Sequence, residues 1–191
     1  MAGLKSFLYG VAPILGVTGA VLYERQRALV SLGVLKAAKG RGPGSGVPLT
    51  AENVAAVIIS VLVTDNLAEV DERVVNLINA PPRTKDRNQW IKAGRPTFCT
   101  GVAAVLSGGA RSWPLEHSVG EIRVERFWTG IISDGFGQIS GGTTEYSAKF
   151  NPSGPRPSPI KISAVLDIGV IQKLEAFTQG ALSQAAVEDD E

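Results

Sequence analysis

Apolar positions recur along this chain in two rhythms, and the change from one to the other divides it. Residues 8–35 read as short helical pieces. The clearest is Ala20 to Leu32, where Leu22, Leu29 and Leu32 lie near one face with Val21 and Ala28 alongside. Gly33 follows where a C-terminal cap glycine belongs. Thr50 is an N-cap candidate, with Ala51 and Glu52 in the first turn of an apolar helix that includes Val54 to Val63. Asp71 to Asn79, with Val74, Val75 and Ile78 on one side, and Arg95 to Ser107, entered after Pro96, complete the helical part.

The rhythm then drops to two. Glu121 to Trp128 sets Ile122, Val124, Arg126 and Trp128 on one face of a predicted strand, and Glu121, Arg123, Glu125 and Phe127 on the other. Ile131 and Ile132 continue or partner that strand, and Asp134-Gly135 is a hairpin-turn signal. Tyr146–Phe150 and Ile160–Ala164 are further strands, separated by the proline-rich stretch Pro152 to Pro159. Helical spacing returns over Val165 to Phe177, through Leu166, Val170, Ile171 and Leu174.

Two stretches punctuate this order. Lys39 to Pro48 holds too many glycines and prolines for a helix or an ordinary strand and is predicted to be a loop. Ala80 to Asn88 is polar and proline-containing, as expected of a boundary. The pattern predicts an α+β fold: a helical unit over residues 1–80, a linker over 81–96, a small antiparallel sheet with one or two helices over 97–187, and an acidic tail over 188–191.

The whole chain has 19 basic and 18 acidic residues, so its net charge says nothing about nucleic acid. The distribution says more. Residues 1–51 hold six basic side chains (Lys5, Arg25, Arg27, Lys36, Lys39, Arg41) and one acidic (Glu24), a local charge of +5. The remainder holds 13 basic and 17 acidic groups, or −4. Such a division suits a DNA-contacting surface joined to an ordinary acidic unit. Cys99 and His117 are the sole residues of their kinds, which excludes disulfide frameworks and Cys/His zinc clusters within one chain. The uncharged run Phe7 to Tyr23 is broken by Gly10, Pro13, Gly16 and Gly19, so a membrane anchor or secretion signal is not expected.

Within that run the residues follow a packing logic. Ala12 is small enough to let two helices approach, and four residues later Gly16 permits a left-handed turn. Val17 plugs the angle, Thr18 can cap the second helix, and Leu22 points back to the first. On these features Val11 to Leu29 resembles the helix-turn-helix of bacterial and phage DNA-binding proteins. Ala28 to Lys36 followed by Gly40-Arg41-Gly42 resembles the helix, glycine, apolar pair and basic wing-like loop of winged and MerR-like regulators. Residues 40–63 are also similar to small phage and prophage proteins of alphaproteobacteria. The resemblance implies that Thr18, Gly19, Ala20, Tyr23 and Arg27 of the second helix, with Lys36, Lys39 and Arg41 of the loop, face double-stranded DNA. Two features depart from the motif. Pro13 falls inside the first helix, and Arg25 and Gln26 stand where one more apolar contact is usual.

The glycine-rich loop lacks the Gly-Lys-Ser/Thr of a phosphate-binding loop, and one histidine and one cysteine cannot assemble a nucleophile, base and orienting group. The expectation is therefore a cytoplasmic, non-enzymatic DNA-binding protein without cofactor or metal. It would act as a regulator or as a DNA-recognition subunit of a phage or mobile element, such as a small terminase subunit, and homo-oligomerise through its C-terminal unit. The alternative is a structural or interaction protein such as a virion component.

Overall fold

The computed structural model describes residues 3–38, 46–67, 70, 72–82, 91–92, 94–108, 119–128, 134–141, 147–150 and 160–188. It is an α+β fold, as the pattern implies. Helix α1, Leu4–Val11, buries Leu4, Phe7, Leu8 and Val11, one stripe at helical spacing. It stops before Pro13, which opens a 3-10 turn over Ala12–Leu15 and therefore breaks no helical hydrogen bond. Gly16 follows with φ 67°, a left-handed conformation that costs glycine nothing.

Helix α2, Gly19–Ser31, starts at Thr18, whose hydroxyl accepts from Val21 N–H at 3.3 Å. It ends one residue earlier than the spacing predicts. Gly33, at φ 73°, donates to the Val30 carbonyl, and Val34 N–H reaches back to Leu29 at 2.9 Å, so the last carbonyls of α2 are satisfied. Beyond α2, Ala38 N–H donates to the Gly46 carbonyl at 2.8 Å, an antiparallel bridge that forms the base of a hairpin whose residues 39–45 lie outside the described residues. The returning arm is held to the start of α1 by Leu4 N–H to the Val47 carbonyl at 3.0 Å.

Helix α3, Ala51–Val63, is capped by Thr50 through Asn53 N–H at 3.1 Å. From Val54 to Val63 every residue except the half-buried Val61 is buried, so α3 is the central helix of the core. Short α4, Glu72–Ile78, and α5, Phe98–Leu106, pack against it. Helix α5 begins later than Arg95 because Thr97 and Thr100 form a reciprocal cap that sets its first turn.

Four antiparallel strands follow: β1 Val119–Trp128, β2 Asp134–Gly141, β3 Ser147–Phe150 and β4 Ile160–Asp167, in the order β3-β2-β1-β4. Ile122 lies opposite Ile139 and Leu166, and Val124 opposite Gly137 and Ala164, which places the apolar face under the helices. Two expectations are corrected. Asp134-Gly135 is not the hairpin turn but the start of β2, opposite Phe127 and Arg126, because burial of Ile139 beside Ile122 fixes the register. Val165, Leu166 and Asp167 are strand rather than helix, since they pair with Arg123, Ile122 and Glu121. Asp167 then ends the strand, its Oδ1 accepting from Val170 N–H at 2.9 Å.

Helix α6 runs over Ile168–Glu188, well past the expected Phe177. Phe177 stacks edge-on against Phe7, ring centroids 5.2 Å apart, and lies over Gly10. Buried residues on both sides of segment 81–96 thus belong to one core, from Leu4 of α1 to Leu174 of α6. Ile131, Ile132, Tyr146 and residues 189–191 of the acidic tail lie outside the described residues. Among the described residues no helix is long and apolar enough to cross a membrane.

Gly137 and Gly180 make a contrasting pair. A Cβ on Gly137 would meet ring carbons of fully buried Phe98 at 2.5 Å, while one on Gly180 meets nothing within 4 Å. Gly137→Ala is expected to cost roughly 1–3 kcal/mol by overpacking, and Gly180→Ala, mid-helix, to gain about 0.5–1 kcal/mol. Urea midpoints of the two variants check both signs.

Candidate nucleic-acid interface

Helix α2 divides cleanly into two faces. Leu22, Arg25, Gln26 and Leu29 are buried at spacings of three and four, and Ala20, Arg27 and Ser31 are exposed on the other side. Of the residues that the resemblance assigns to DNA, Thr18 is exposed but its hydroxyl is taken by the cap. Gly19 lies under the Tyr9 ring, where any Cβ would overlap it, so this glycine is where α1 and α2 come closest. Ala12, assigned that role from sequence, is buried at the end of α1.

Ala20 offers a bare methyl to solvent. Tyr23 is half-buried, with Lys5 Nζ 4.5 Å from its ring centroid, a cation–π contact that ties α1 to α2. Arg27 is 64% exposed and its Nη1 donates to both carboxylate oxygens of Glu24 at 3.0 Å. Lys36 is exposed just before the hairpin base. Lys39 and Arg41 lie outside the described residues. Of these residues only Ala20 and Arg27 lie on the exposed side of the α2 helix; Gly19 and Tyr23 face α1, and Thr18 is the cap.

The residue that sequence reasoning misjudged is Arg25. It is 3% exposed, yet Nη1 donates to the Ser60 carbonyl at 2.6 Å and Nη2 to the Thr64 carbonyl at 2.7 Å. Ser60 lies in the last turn of α3, where intrahelical donors run out and the helix dipole is negative, and Thr64 is the extended residue that follows it. Burial pushes the Arg25 pKa down, and the charge of Asp65 opposes that shift. The position of Arg25, three residues after Leu22 and four before Leu29, was the signal: it falls on the buried stripe. Gln26 beside it is buried too.

Among the described residues little other chemistry competes for the role of a site. Cys99 donates to the Glu52 carbonyl at 3.4 Å, and burial followed by the charge of Glu52 pushes its thiol up to about 12, the wrong direction for a nucleophile. Among the described residues no group of three His, Cys, Asp or Glu could hold a metal ion. His117 lies outside the described residues. Glu121 and Arg123, which pair at 3.0 Å, are partly exposed, whereas the Glu125 side chain is only 7% exposed, so the charge ladder of β1 is not fully solvated.

Two tests follow from these geometries. Arg25→Met keeps the volume but removes both donors from buried carbonyls; with charge-assisted bonds worth about 1.5–3 kcal/mol each, a loss on the order of 3 kcal/mol in urea unfolding is expected, with α2 and α3 opening together in hydrogen exchange. The Cys99 thiol, held to about 12 in the fold against 9.0 ordinarily, keeps its proton where an unfolded chain releases it. Its contribution to stability is therefore complete below pH 9 and is lost as pH rises towards 12. Thiol labelling at pH 8 should be slow on the native protein and immediate in denaturant, and fast native labelling would contradict the burial. Comparison with protein-family models, with curated proteins and with solved structures finds no match to this chain.

Proposed function

We propose that this chain binds double-stranded DNA, with α2 entering the major groove and the hairpin after it lying along the backbone as a wing. The observation that carries the reading is the hairpin base. Directly after a helix that follows a left-handed glycine turn, Ala38 and Gly46 close a loop, and the Leu4–Val47 bond anchors its return to α1. The seven residues between Ala38 and Gly46 carry Lys39 and Arg41 among glycines, a composition that lets backbone N–H groups and cations approach phosphates closely.

The two faces of α2 divide the labour. The buried face fixes the helix on α3, so that the exposed face can meet a groove without paying for its own ordering. Arg27 is the base-reading candidate, since a guanidinium matches the O6 and N7 acceptors of guanine. Thr18, Ala20 and Tyr23 supply shape and apolar contact, and Lys36, Lys39 and Arg41 supply phosphate contacts. A module of this kind suits a regulator, or the DNA-recognition subunit of a phage or mobile element, working in the cytoplasm as a homo-oligomer that spans two half-sites.

Binding to duplex DNA is expected to weaken steeply with salt. Lys39→Ala and Arg41→Ala should each lower the salt slope by about one and weaken all sequences alike. Arg27→Ala should instead narrow the gap between preferred and random sequence by roughly tenfold. Fluorescence anisotropy across a salt series measures both. If no duplex binds above background at low ionic strength, the helices of residues 4–31 are an assembly surface and the structural-protein reading replaces this one.

A further inference from the structure

Strand β4 ends the sheet. It pairs with β1 along one side over all eight of its residues, and among the described residues no strand pairs with its other side. An edge strand exposes a row of backbone N–H and C=O groups that template further pairing, and folded proteins blunt such edges with charged side chains, proline, bulges or short length. Strand β4 carries one charge of each sign, Lys161 and Asp167, which repel a strand in a mismatched register but not a second copy in the matched one. Its sequence, Ile-Lys-Ile-Ser-Ala-Val-Leu-Asp, contains neither proline nor glycine, and its register with β1 runs without a shift. The opposite edge, β3, is four residues long. On the sheet face away from the core Val165 is 43% exposed, and Ile168, next after the strand, is 41% exposed.

The order of residues in β4 is complementary to itself. With two copies antiparallel and Ala164 opposite the partner's Ala164, Ser163 meets the partner's Val165, Ile162 the partner's Leu166, and Lys161 the partner's Asp167, each pair occurring twice about the dyad. This register keeps faces matched. Positions 162, 164 and 166 lie on the side that also carries buried Ile122 and Val124, and positions 161, 163, 165 and 167 on the other. A shift by one residue puts core-face positions opposite solvent-face positions, and a shift by two sets position 161 or 167 against something other than the opposite charge. The small residue at the centre lets the two strands approach.

We propose that β4 is the seam of a homodimer, in which two copies of this chain pair antiparallel about Ala164 and join their sheets into one. The proposal stands without DNA; where DNA is bound, the dimer supplies the second winged unit. Sedimentation of the full chain, with no nucleic acid present, tests it. The wild-type chain is expected to be a dimer, and Lys161→Glu, which sets two like-charged pairs across the seam, to raise the dimer dissociation constant tenfold or more. Asp167 also caps α6, so the informative second variant is Lys161→Glu with Asp167→Lys, in which the charges are exchanged and the dimer should re-form more tightly than with Lys161→Glu alone. Ala164→Cys reads the register: directly opposed residues in antiparallel strands have Cα atoms about 4.5–5.5 Å apart, inside the disulfide range, so mild oxidation should cross-link the chain into a covalent dimer while buried Cys99 stays reduced. A monomeric wild type, a dimer indifferent to Lys161→Glu, absence of rescue in the exchanged pair, or absence of the cross-link would each overturn the proposal.

Discussion

Helix α3 is buried on nearly every side, and Arg25 of α2 supplies donors where it ends, to the carbonyl of Ser60 in its last turn and to that of Thr64 just beyond. A guanidinium suits this place better than any neutral side chain. It brings positive charge to the negative end of the helix dipole and a planar fork that reaches two carbonyls four residues apart. The cost is desolvation of a full charge, which the downward shift of its pKa reports and which Asp65 offsets. With α3 so terminated, its flanks are free to receive α2, α4, α5 and the sheet, which all pack on it.

That interaction also orients the candidate interface. A helix held to the core by leucines alone can rotate by a fraction of a turn at modest cost, because apolar contact has little directional preference. Two short hydrogen bonds from one side chain do have direction, and they fix which residues of α2 face outward. The hairpin inherits the same frame, since its returning arm is bonded to the first residue of α1 and its leading arm follows the capped end of α2. Helix α1 is fixed in turn by Phe177 over Gly10, so α6 supports the first two helices from behind.

Much of this was legible in the chain. Gly16 as a left-handed turn, Thr18 and Thr50 as caps, Gly33 as a helix end and the strand around Ile122 all follow from local chemistry, and local chemistry is what a single sequence carries. Pro13 falls inside the first helix of the motif by its spacing, whereas the stripe Leu4, Phe7, Leu8 and Val11 sets α1 earlier and leaves Pro13 in the turn. Arg25 was illegible for another reason. Its partners are 35 and 39 residues away, and nothing in its neighbourhood tells a buried cation from a solvated one except the stripe it falls on. Residues 165–167 were read as helix because Leu166 has helical spacing to Val170; the pairing with β1 that overrides it is a tertiary fact.

The same distinction changes what the basic N-terminal charge means. Six cations and one anion suggest a strongly positive surface, but one of the cations is spent inside the core on α3, and another is held in a bidentate pair by the single acid, Glu24. Of the other four, Lys5 lies over the Tyr23 ring and Lys36 is exposed beyond the end of α2, while Lys39 and Arg41 lie outside the described residues. On the DNA-binding reading, affinity then comes mainly from the wing and the neighbouring helix. The helix α2 itself contributes discrimination, because Arg27 must leave Glu24 to reach a base and does so only where the base offers a better match. On that same reading a carboxylate beside Arg27 would penalise every unmatched contact with phosphate or acceptor, so that Glu24 would act against wrong sequences as well as pair with Arg27.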